Sequence, residues 1–399
     1  MPAQVDTTMV SRKILMLPGP TETYPEALAE MALPTWPHYG LEWGRFYDET
    51  CGLLKRLFNT QGDVLILTAS GTAASEMCLS AVAEPGSKIL VLSNGFFCER
   101  FDEIALCYGA KPIDVRAEYG KPIDPRDVCR ALMEHGDVKA VCMVHNETSV
   151  GVLNPAEEIS EVVSEFNIPL IVDEVSALGG VDVRMDEWNV DLAFASSPKG
   201  LGAPPVLGLV AVSPRMWRLI AERKQPIQGF YLNLSVWRRY MDSWGSFGHP
   251  YPASAATGLI RGLRKALELV LEEGLEDRFR RHMTAAAATR AGLKALGLEL
   301  FADEGAASPT VTTFRVPQGV KGAALRKRME EKYHIVLGGG VGQLSQAIIR
   351  IGHMAMTASP EYVLQTLAAL ESALIEEGFP AEHGAGTSAA GDVFRNAAE

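Results

Sequence analysis

Short apolar runs recur along the N-terminal half of the chain and alternate with segments whose apolar positions repeat at helical spacing. Several runs are continuous rather than alternating, which is typical of strands covered on both faces of a sheet. Strand–helix alternation of this kind predicts an α/β fold with a mostly parallel sheet. The predicted strands are Val64–Leu67, Ile89–Leu92, Val138–Val144, Leu170–Val172, Leu192–Ala195 and Leu207–Val212.

Helix signals lie between these strands. Asn154 precedes a proline, an order typical of a capping residue followed by the first helical position. Apolar positions at 159, 162, 163 and 166 then share one helical face. We therefore expect a helix to begin at Asn154.

The pattern changes after about residue 255, where long helices and isolated strands predict a smaller α+β domain. The predicted elements are helices over 256–273, 275–296, 322–332 and 360–377, and strands over 311–316 and 348–351. We interpret Arg278, Arg280, Arg281 and Arg290 as a solvated basic face. The predicted organisation is an N-terminal arm (1–20), a large domain (21–262), a small domain (263–380) and a loose tail (381–399).

The composition of the chain argues against several kinds of binding partner. The formal net charge of −12 argues against nucleic acid or an anionic membrane as the main partner. No apolar run reaches the ~18 residues of a membrane span, and the first twelve residues are unlike a signal peptide. The six cysteines form neither a C-x-x-C pair nor a zinc-like cluster with histidine. We expect a soluble, cytoplasmic protein with free thiols and no metal.

Two charged residues stand where apolar strands end. Asp173 closes one apolar segment, and Lys199 follows the next one, just before a Gly/Pro turn. A buried charge is costly unless paired, and an amine against an apolar wall has a lowered pKa and can condense with a carbonyl. A pyridoxal 5′-phosphate (PLP) site needs both groups: the lysine forms the Schiff base, and the aspartate keeps the pyridine nitrogen protonated. The structural alternative for Asp173 is a helix cap.

Further candidates follow the other strands. Small residues from Thr68 to Glu76 open a helix whose N-terminus could take a phosphate, although they could equally form an ordinary strand–turn–helix link. Phe97 either stacks on a flat cofactor or packs in the core. The loop 145–151 carries hydroxyls at a strand end, the place where open α/β sheets bind ligands. Arg350 lies between isoleucines on a strand and indicates either a carboxylate contact or a solvated edge.

These motifs, in this order, resemble class V (fold-type I) PLP aminotransferases over roughly 15–374, and most closely the alanine–glyoxylate / serine–pyruvate aminotransferase group. The motifs that carry the resemblance are Leu17-Pro18-Gly19-Pro20-Thr21, Ala69-Ser70-Gly71-Thr72, His145-Asn146-Glu147-Thr148-Ser149-Val150-Gly151, the run Val172–Gly180, Lys199 with Ala203-Pro204-Pro205, and Arg350-Ile351-Gly352.

The resemblance implies a role for each matching residue. Lys199 would hold the cofactor and move the proton, and Asp173 would bind the pyridine nitrogen. The implied remaining cofactor contacts are Ser70, Gly71 and Thr72 at the phosphate, Phe97 and Val175 on the ring faces, Thr148, and Tyr251 and Ser254 from the other subunit of a homodimer. Arg350 and the backbone around Gly19 would bind the substrate carboxylate. The implied reaction transfers an amino group from a small donor such as alanine or serine to glyoxylate or pyruvate.

At several positions the sequence differs from the family pattern, so other substrates and reactions remain alternatives. Pro198 stands where relatives carry glutamine or asparagine, so one polar phosphate contact is missing. The chain also resembles pyridoxamine–pyruvate aminotransferase, but that enzyme's distinguishing glutamate and arginine would fall at Ser70 and Val341. Aspartate, aminophosphonate or aminosulfonate donors and a PLP lyase remain alternatives. A nicotinamide oxidoreductase is disfavoured, because the glycines at 338–342 lack the dinucleotide spacing.

Overall fold

The computed structural model describes residues 12–398. Its strands are β1 (Ile14–Met16), β2 (Asp63–Leu67), β3 (Lys88–Ser93), β4 (Lys111–Arg116), β5 (Val138–Val144), β6 (Asn146–Glu147), β7 (Val152–Leu153), β8 (Leu170–Asp173), β9 (Leu192–Ser196), β10 (Gly208–Val212), β11 (Val311–Arg315), β12 (Ile335–Gly339) and β13 (Ile348–Gly352).

The α-helices are α1 (Pro25–Met31), α2 (Leu41–Phe58), α3 (Gly71–Ser80), α4 (Phe96–Cys107), α5 (Pro125–Glu134), α6 (Ala156–Glu165), α7 (Pro214–Ala221), α8 (Leu234–Trp244), α9 (Thr257–Glu273), α10 (Leu275–Ala295), α11 (Gly322–Tyr333), α12 (Pro360–Glu376) and α13 (Ala385–Ala398). Short 3₁₀ turns lie at Gly245–Phe247, Glu304–Ala306, Gly342–Leu344 and Ala355–Thr357.

A seven-stranded sheet in the order β2-β10-β9-β8-β5-β3-β4 forms the larger part of the molecule. Every neighbouring pair is parallel except the two that involve β10, which runs antiparallel to β2 and β9. The residues of β9 and β10 are all buried, because helices cover both faces of the sheet. The mostly parallel α/β fold predicted from the apolar runs is therefore confirmed. Its parallel strands bring their carboxyl ends to one edge.

A second, four-stranded sheet has the order β1-β12-β13-β11. It packs with α10, α11 and α12 around a separate core that includes Phe314, Ile349 and Leu367. The strand β1 comes from the other end of the chain and pairs in parallel with β12, so Met16 belongs to this core. Residues 1–11 of the predicted N-terminal arm lie outside the described residues.

The prediction of a loose tail after residue 381 is wrong. Residues 385–398 form α13, which packs closely on α10 and α12. Glu371 of α12 is buried and accepts the backbone N–H groups of Gly384 and Thr387, both at 2.9 Å. Ala390 is fully buried. The small residues from which a loose tail was predicted instead let α13 pack closely against its neighbouring helices.

The predicted capping role of Asn154 is also wrong. The helix begins at Ala156 with Pro155 at the N-cap position, and the Asn154 side chain turns inward. Its oxygen accepts the Ile123 N–H at 3.0 Å, and its amide donates to the Val144 carbonyl at 2.8 Å. A buried amide with several backbone partners is better satisfied there than at a helix end in water.

Within residues 12–398, no helix combines the length and the apolar character needed to cross a bilayer. All six cysteines are free. The same part of the chain holds no group of three or more histidine, cysteine or acidic side chains arranged to bind a metal ion.

Candidate active site

The carboxyl ends of the parallel strands place the predicted residues together. Asp173 is the last residue of β8, and Lys199 lies three residues beyond β9, its parallel neighbour. A cavity of about 160 Å³ opens at this edge. Six predicted residues line it: Gly71, Thr72, Phe97, Asp173, Val175 and Lys199.

One end of the cavity is the N-terminus of α3. Ser70 is the N-cap, and its hydroxyl accepts the Ala73 N–H at 3.3 Å, so its side chain caps the helix. A Cβ on Gly71 would press against Ser196 and Val175, at 3.0 and 3.2 Å. Glycine therefore lets the wall approach closely at the point where helix N–H groups favour an anion.

Glu147 is a buried carboxylate that sequence reasoning did not single out. It accepts the N–H groups of Phe97 at 3.0 Å and Cys98 at 3.1 Å, the first turn of α4, and that of Ser149 at 2.9 Å. The N-cap residue of α4 is Gly95, which has no side chain to serve as a cap. Glu147 supplies that cap from a neighbouring loop and so fixes the backbone that carries Phe97.

Lys199 is held in an environment that favours the neutral amine. Its Nζ donates to the Pro18 carbonyl at 2.7 Å, and no carboxylate of the described residues pairs with it. Burial, with the positive charges of Arg350 and Arg100, lowers the pKa of Lys199 to about 8 despite the opposing effect of Asp173. A lysine with this pKa is a competent nucleophile and proton carrier near neutral pH.

Asp173 shows the complementary shift. Burial raises the pKa of Asp173 to about 7, with the carboxylates Glu147 and Glu174 adding to the rise and the Val175 N–H opposing it. That N–H lies 2.7 Å from Oδ1, while the second oxygen makes no hydrogen bond to the described residues. The Val175 contact resembles the cap that was the structural alternative, but the free oxygen leaves the carboxyl able to bind a cationic N–H in the cavity.

Arg350 lies on β13 and is 8% exposed. Its Nε donates to the Gly339 carbonyl at 2.7 Å, and its Nη1 donates to the Thr148 carbonyl at 3.3 Å. Burial lowers the pKa of Arg350 to about 10, and no carboxylate forms an ion pair with it within residues 12–398. A buried guanidinium held by carbonyls alone has its charge available for an anionic ligand. The solvated-edge alternative does not describe this residue.

Two other predicted residues border the site without lining the cavity. Gly19 has a φ of +117°, and a Cβ there would overlap the Lys199 side chain. Glycine is therefore required beside the lysine. Thr148 is buried, and its backbone rather than its hydroxyl contacts Arg350.

Tyr251 and Ser254 lie outside the cavity of their own chain. The Tyr251 hydroxyl accepts from the Trp43 indole N–H and donates to the His38 carbonyl. Ser254 is exposed. Their predicted role at the site of a partner subunit stays a prediction.

Four residues of the cavity wall were missed: Ser75, Arg100, Phe194 and Ser196. For two of them, Ser75 and Arg100, the spacing from predicted residues could have identified them. Ser75 lies one helical turn after Gly71 on α3, and Arg100 lies one turn after Phe97 on α4. Each therefore faces the same way as a residue that was identified.

The prediction that the arginines of α10 form a solvated face fits Arg280 but is wrong for the others, since Arg281 and Arg290 are half-buried and the side chain of Arg278 is fully buried. The Nε of Arg278 donates to the Gly179 carbonyl at 2.6 Å, and its Nη2 donates to the carbonyl of Gly200, which follows Lys199. Its Nη1 pairs with Glu273 at 2.6 Å. One guanidinium thus ties the loop after Asp173 to the loop of Lys199.

The cavity fits PLP. It combines a lysine amine, a half-buried carboxyl with one oxygen that has no partner among the described residues, an aromatic and an aliphatic wall, and a helix N-terminus that a glycine keeps open. These are the groups that bind the aldehyde, the pyridine nitrogen, the ring and the phosphate of that cofactor. Fold and site together define a PLP-dependent enzyme of fold type I.

Comparison with known proteins identifies the family. The sequence model described as "Aminotransferase class-V" matches residues 27–357. An uncharacterized aminotransferase of Methanocaldococcus jannaschii is 42% identical over 92% of this chain and 94% of its own. The crystal structure of ureidoglycine–glyoxylate aminotransferase from Bacillus subtilis superimposes with a TM-score of 0.91 at 34% identity, covering 96% of this chain and 98% of that one. The alanine–glyoxylate aminotransferase of Callithrix jacchus is 32% identical over 92% of this chain and 88% of its own.

The chain belongs to the class V aminotransferase family, and its cofactor is PLP.

Proposed function

We propose that the protein transfers an amino group from a small amino acid, such as alanine or serine, to glyoxylate or pyruvate. The observation that carries the proposal is that Lys199 and Asp173 line one cavity at the edge of the large sheet, while Arg350 of the small sheet lies close enough to lower the pKa of Lys199 and pairs with no carboxylate of the described residues. The relatives from B. subtilis and C. jacchus bear names that include glyoxylate, which supports a 2-oxo acid of that size as acceptor.

PLP, when bound, withdraws electrons from the substrate Cα and so makes its proton acidic. Lys199 Nζ would hold the cofactor through its aldehyde carbon, and as a free amine it would take the proton from the substrate Cα. Asp173 would keep the pyridine nitrogen protonated through the carboxyl oxygen that has no hydrogen-bond partner among the described residues. Arg350 binds the substrate carboxylate in a bidentate fashion and so fixes which Cα bond faces the lysine.

We further propose that the active unit is a homodimer in which Tyr251 and Ser254 reach the partner's phosphate site. An exposed apolar patch consisting of Tyr39, Leu41, Trp244 and Phe247 supports this proposal, since these side chains are 54–71% exposed. The patch adjoins Tyr251, whose hydroxyl bonds to the carbonyl of residue 38. Gly40 also donates to the Phe247 carbonyl at 3.2 Å, which joins the two halves of the patch.

The test is the visible absorption of the PLP-loaded protein with L-alanine, L-serine or L-aspartate in the absence of an oxo acid. We expect one small donor to bleach the band, and glyoxylate or pyruvate to restore it. Lys199→Ala should abolish turnover. Bleaching by aspartate alone would replace the small-donor assignment, and steady release of ammonia without an acceptor would identify a lyase instead.

A further inference from the structure

Arg100 is a cation of the cavity wall that the roles above leave without a function. It lies on α4 and is half-buried. Its Nη1 donates to the Thr72 hydroxyl at 3.1 Å, across the cavity wall from α4 to α3. Its Cζ also lies 5.1 Å from the centroid of the Phe97 ring, so the guanidinium is held in place from two sides.

The charge of Arg100 has no carboxylate partner between residues 12 and 398. The ion pairs of the described residues include none with Arg100, although its neighbour Glu99 lies 3.9 Å from Arg116 and accepts from the Tyr119 hydroxyl at 2.6 Å. Its positive charge reaches the cavity, since it contributes to the lowered pKa of Lys199. A guanidinium at a partly desolvated wall without a carboxylate is arranged for an anionic ligand.

The position of Arg100 indicates which anion it serves. Thr72, to which it donates, is the second residue of α3, where the unpaired helix N–H groups also favour negative charge. Arg350 does not line the cavity and is held elsewhere, by the carbonyls of Gly339 and Thr148. Two guanidinium groups held in separate places, neither paired with a carboxylate of the described residues, match two separate anions, the cofactor phosphate and the substrate carboxylate.

We propose that Arg100, together with Thr72, binds the phosphate group of PLP as its main counter-charge in this subunit. The inference rests on the cofactor assignment and deepens it by naming a phosphate-binding residue. The contact of the guanidinium with the Phe97 ring then has a role as well, because one side chain orders both the phosphate end of the cavity and its aromatic wall.

The experiment compares two ligands that differ only in the phosphate. Dissociation constants of PLP and of pyridoxal are measured for the wild type, Arg100→Gln and Arg100→Lys, starting from the apoprotein. A charge-assisted hydrogen bond implies that Arg100→Gln weakens PLP binding about 10- to 100-fold and leaves pyridoxal binding within about twofold. Arg100→Lys, which keeps the charge, should recover much of the lost PLP affinity.

Arg130→Gln is the matched control, because Arg130 lies exposed on α5 and pairs with Asp127 at 3.0 Å. It should change neither constant, and the melting temperatures of all apoproteins show whether each variant is folded. An equal loss of PLP and pyridoxal affinity would overturn the proposal and leave Arg100 as a support for Phe97. Unchanged PLP affinity in Arg100→Gln would also overturn it. A wild type that binds no PLP would instead remove the cofactor assignment itself.

Discussion

Burial shifts the pKa values of Lys199 and Asp173 in opposite directions. It lowers the pKa of Lys199 to about 8 and raises the pKa of Asp173 to about 7, so each group is brought toward its neutral form in the apoprotein. Bound PLP would supply a partner for each group: a carbonyl carbon for the amine and a pyridinium N–H for the carboxyl. The site is therefore prepared for the cofactor at a cost to the stability of the protein without it.

The first prediction concerns Asp173→Asn. Because folding raises the pKa of this carboxyl from its ordinary 3.8 to about 7, ionisation opposes folding. The apoprotein therefore loses stability as pH rises between these values, and the loss is complete above about pH 7. Asparagine removes this cost and keeps an oxygen for the Val175 N–H.

We expect the Asp173→Asn apoprotein to melt a few degrees higher than the wild type at alkaline pH and to lose this advantage in acid. Its transaminase activity should fall by orders of magnitude. Thermal unfolding across pH, followed by circular dichroism, measures the first effect. A variant less stable than the wild type at alkaline pH would contradict the assigned cost.

The second prediction concerns Arg350→Leu. The Arg350 charge is one cause of the lowered pKa of Lys199, so its removal should raise that pKa above about 8. Since only the neutral amine attacks an aldehyde, the rate at which the apoprotein captures PLP should then reach its midpoint at higher pH. Stopped-flow absorbance across pH measures this midpoint. The exposed Arg315→Leu serves as the control, and an unshifted midpoint in Arg350→Leu would refute the coupling.

At the scale of elements, α10 connects the two halves of the site. Arg278 holds the loops of Asp173 and Lys199, while Arg281 donates to the carbonyls of Ala355 and Ala358 at 2.8 and 2.7 Å, just beyond the strand of Arg350. Glu273 pairs with both arginines. The junction of α9 and α10 thus fixes the lysine loop relative to the substrate strand.

The third prediction is that Arg278→Leu destabilises the protein by several kcal/mol, because the carbonyls of Gly179 and Gly200 lose their buried donor at about 1–3 kcal/mol each, while Glu273 keeps its pair with Arg281. The loops it ties should also loosen, so PLP affinity should fall together with stability. Urea denaturation and PLP titration measure the two effects. Arg280→Leu on the same helix is the matched control, because Arg280 is exposed and should change neither quantity.

The fourth prediction concerns α13. Truncation after Pro380 would expose the face of α10 and leave the buried carboxylate of Glu371 without its two N–H partners. We expect a clear fall in melting temperature, measured by calorimetry. A truncated protein with an unchanged melting temperature would restore the interpretation of this segment as a loose tail.

The sequence predicted correctly those features that depend on local apolar pattern and on the order of the strands. The apolar runs located the strands of the large sheet, and parallel pairing then brought Asp173 and Lys199 to one edge. Sequence reasoning missed β4, whose half-exposed residues and proline weaken the apolar signal of an edge strand. It also misplaced Asn154 and Arg278, because a buried amide or guanidinium depends on carbonyls supplied by distant segments that no local pattern reveals.

At the scale of the whole molecule, the proposed dimer predicts the behaviour of the apolar patch. Leu41→Asp combined with Phe247→Asp would place two carboxylates in a dry interface, where they are costly to desolvate. We expect the wild type to sediment as a dimer and the double variant as a monomer that retains PLP poorly. Met133→Asp, at an equally exposed apolar position on α5, should remain dimeric. A wild type that is monomeric and fully active would overturn the shared-site proposal.

The pairing of β1 with β12 has a consequence for synthesis on the ribosome. Ile14–Met16 leaves the exit tunnel early, but its partner strand Ile335–Gly339 follows about 320 residues later, which at about 5–20 residues per second means a wait of roughly 15–60 s. The large sheet has all its strands by Val212 and can form within that interval. The first strand of the described residues thus stays unpaired for most of translation, and the small sheet is completed only after the large one.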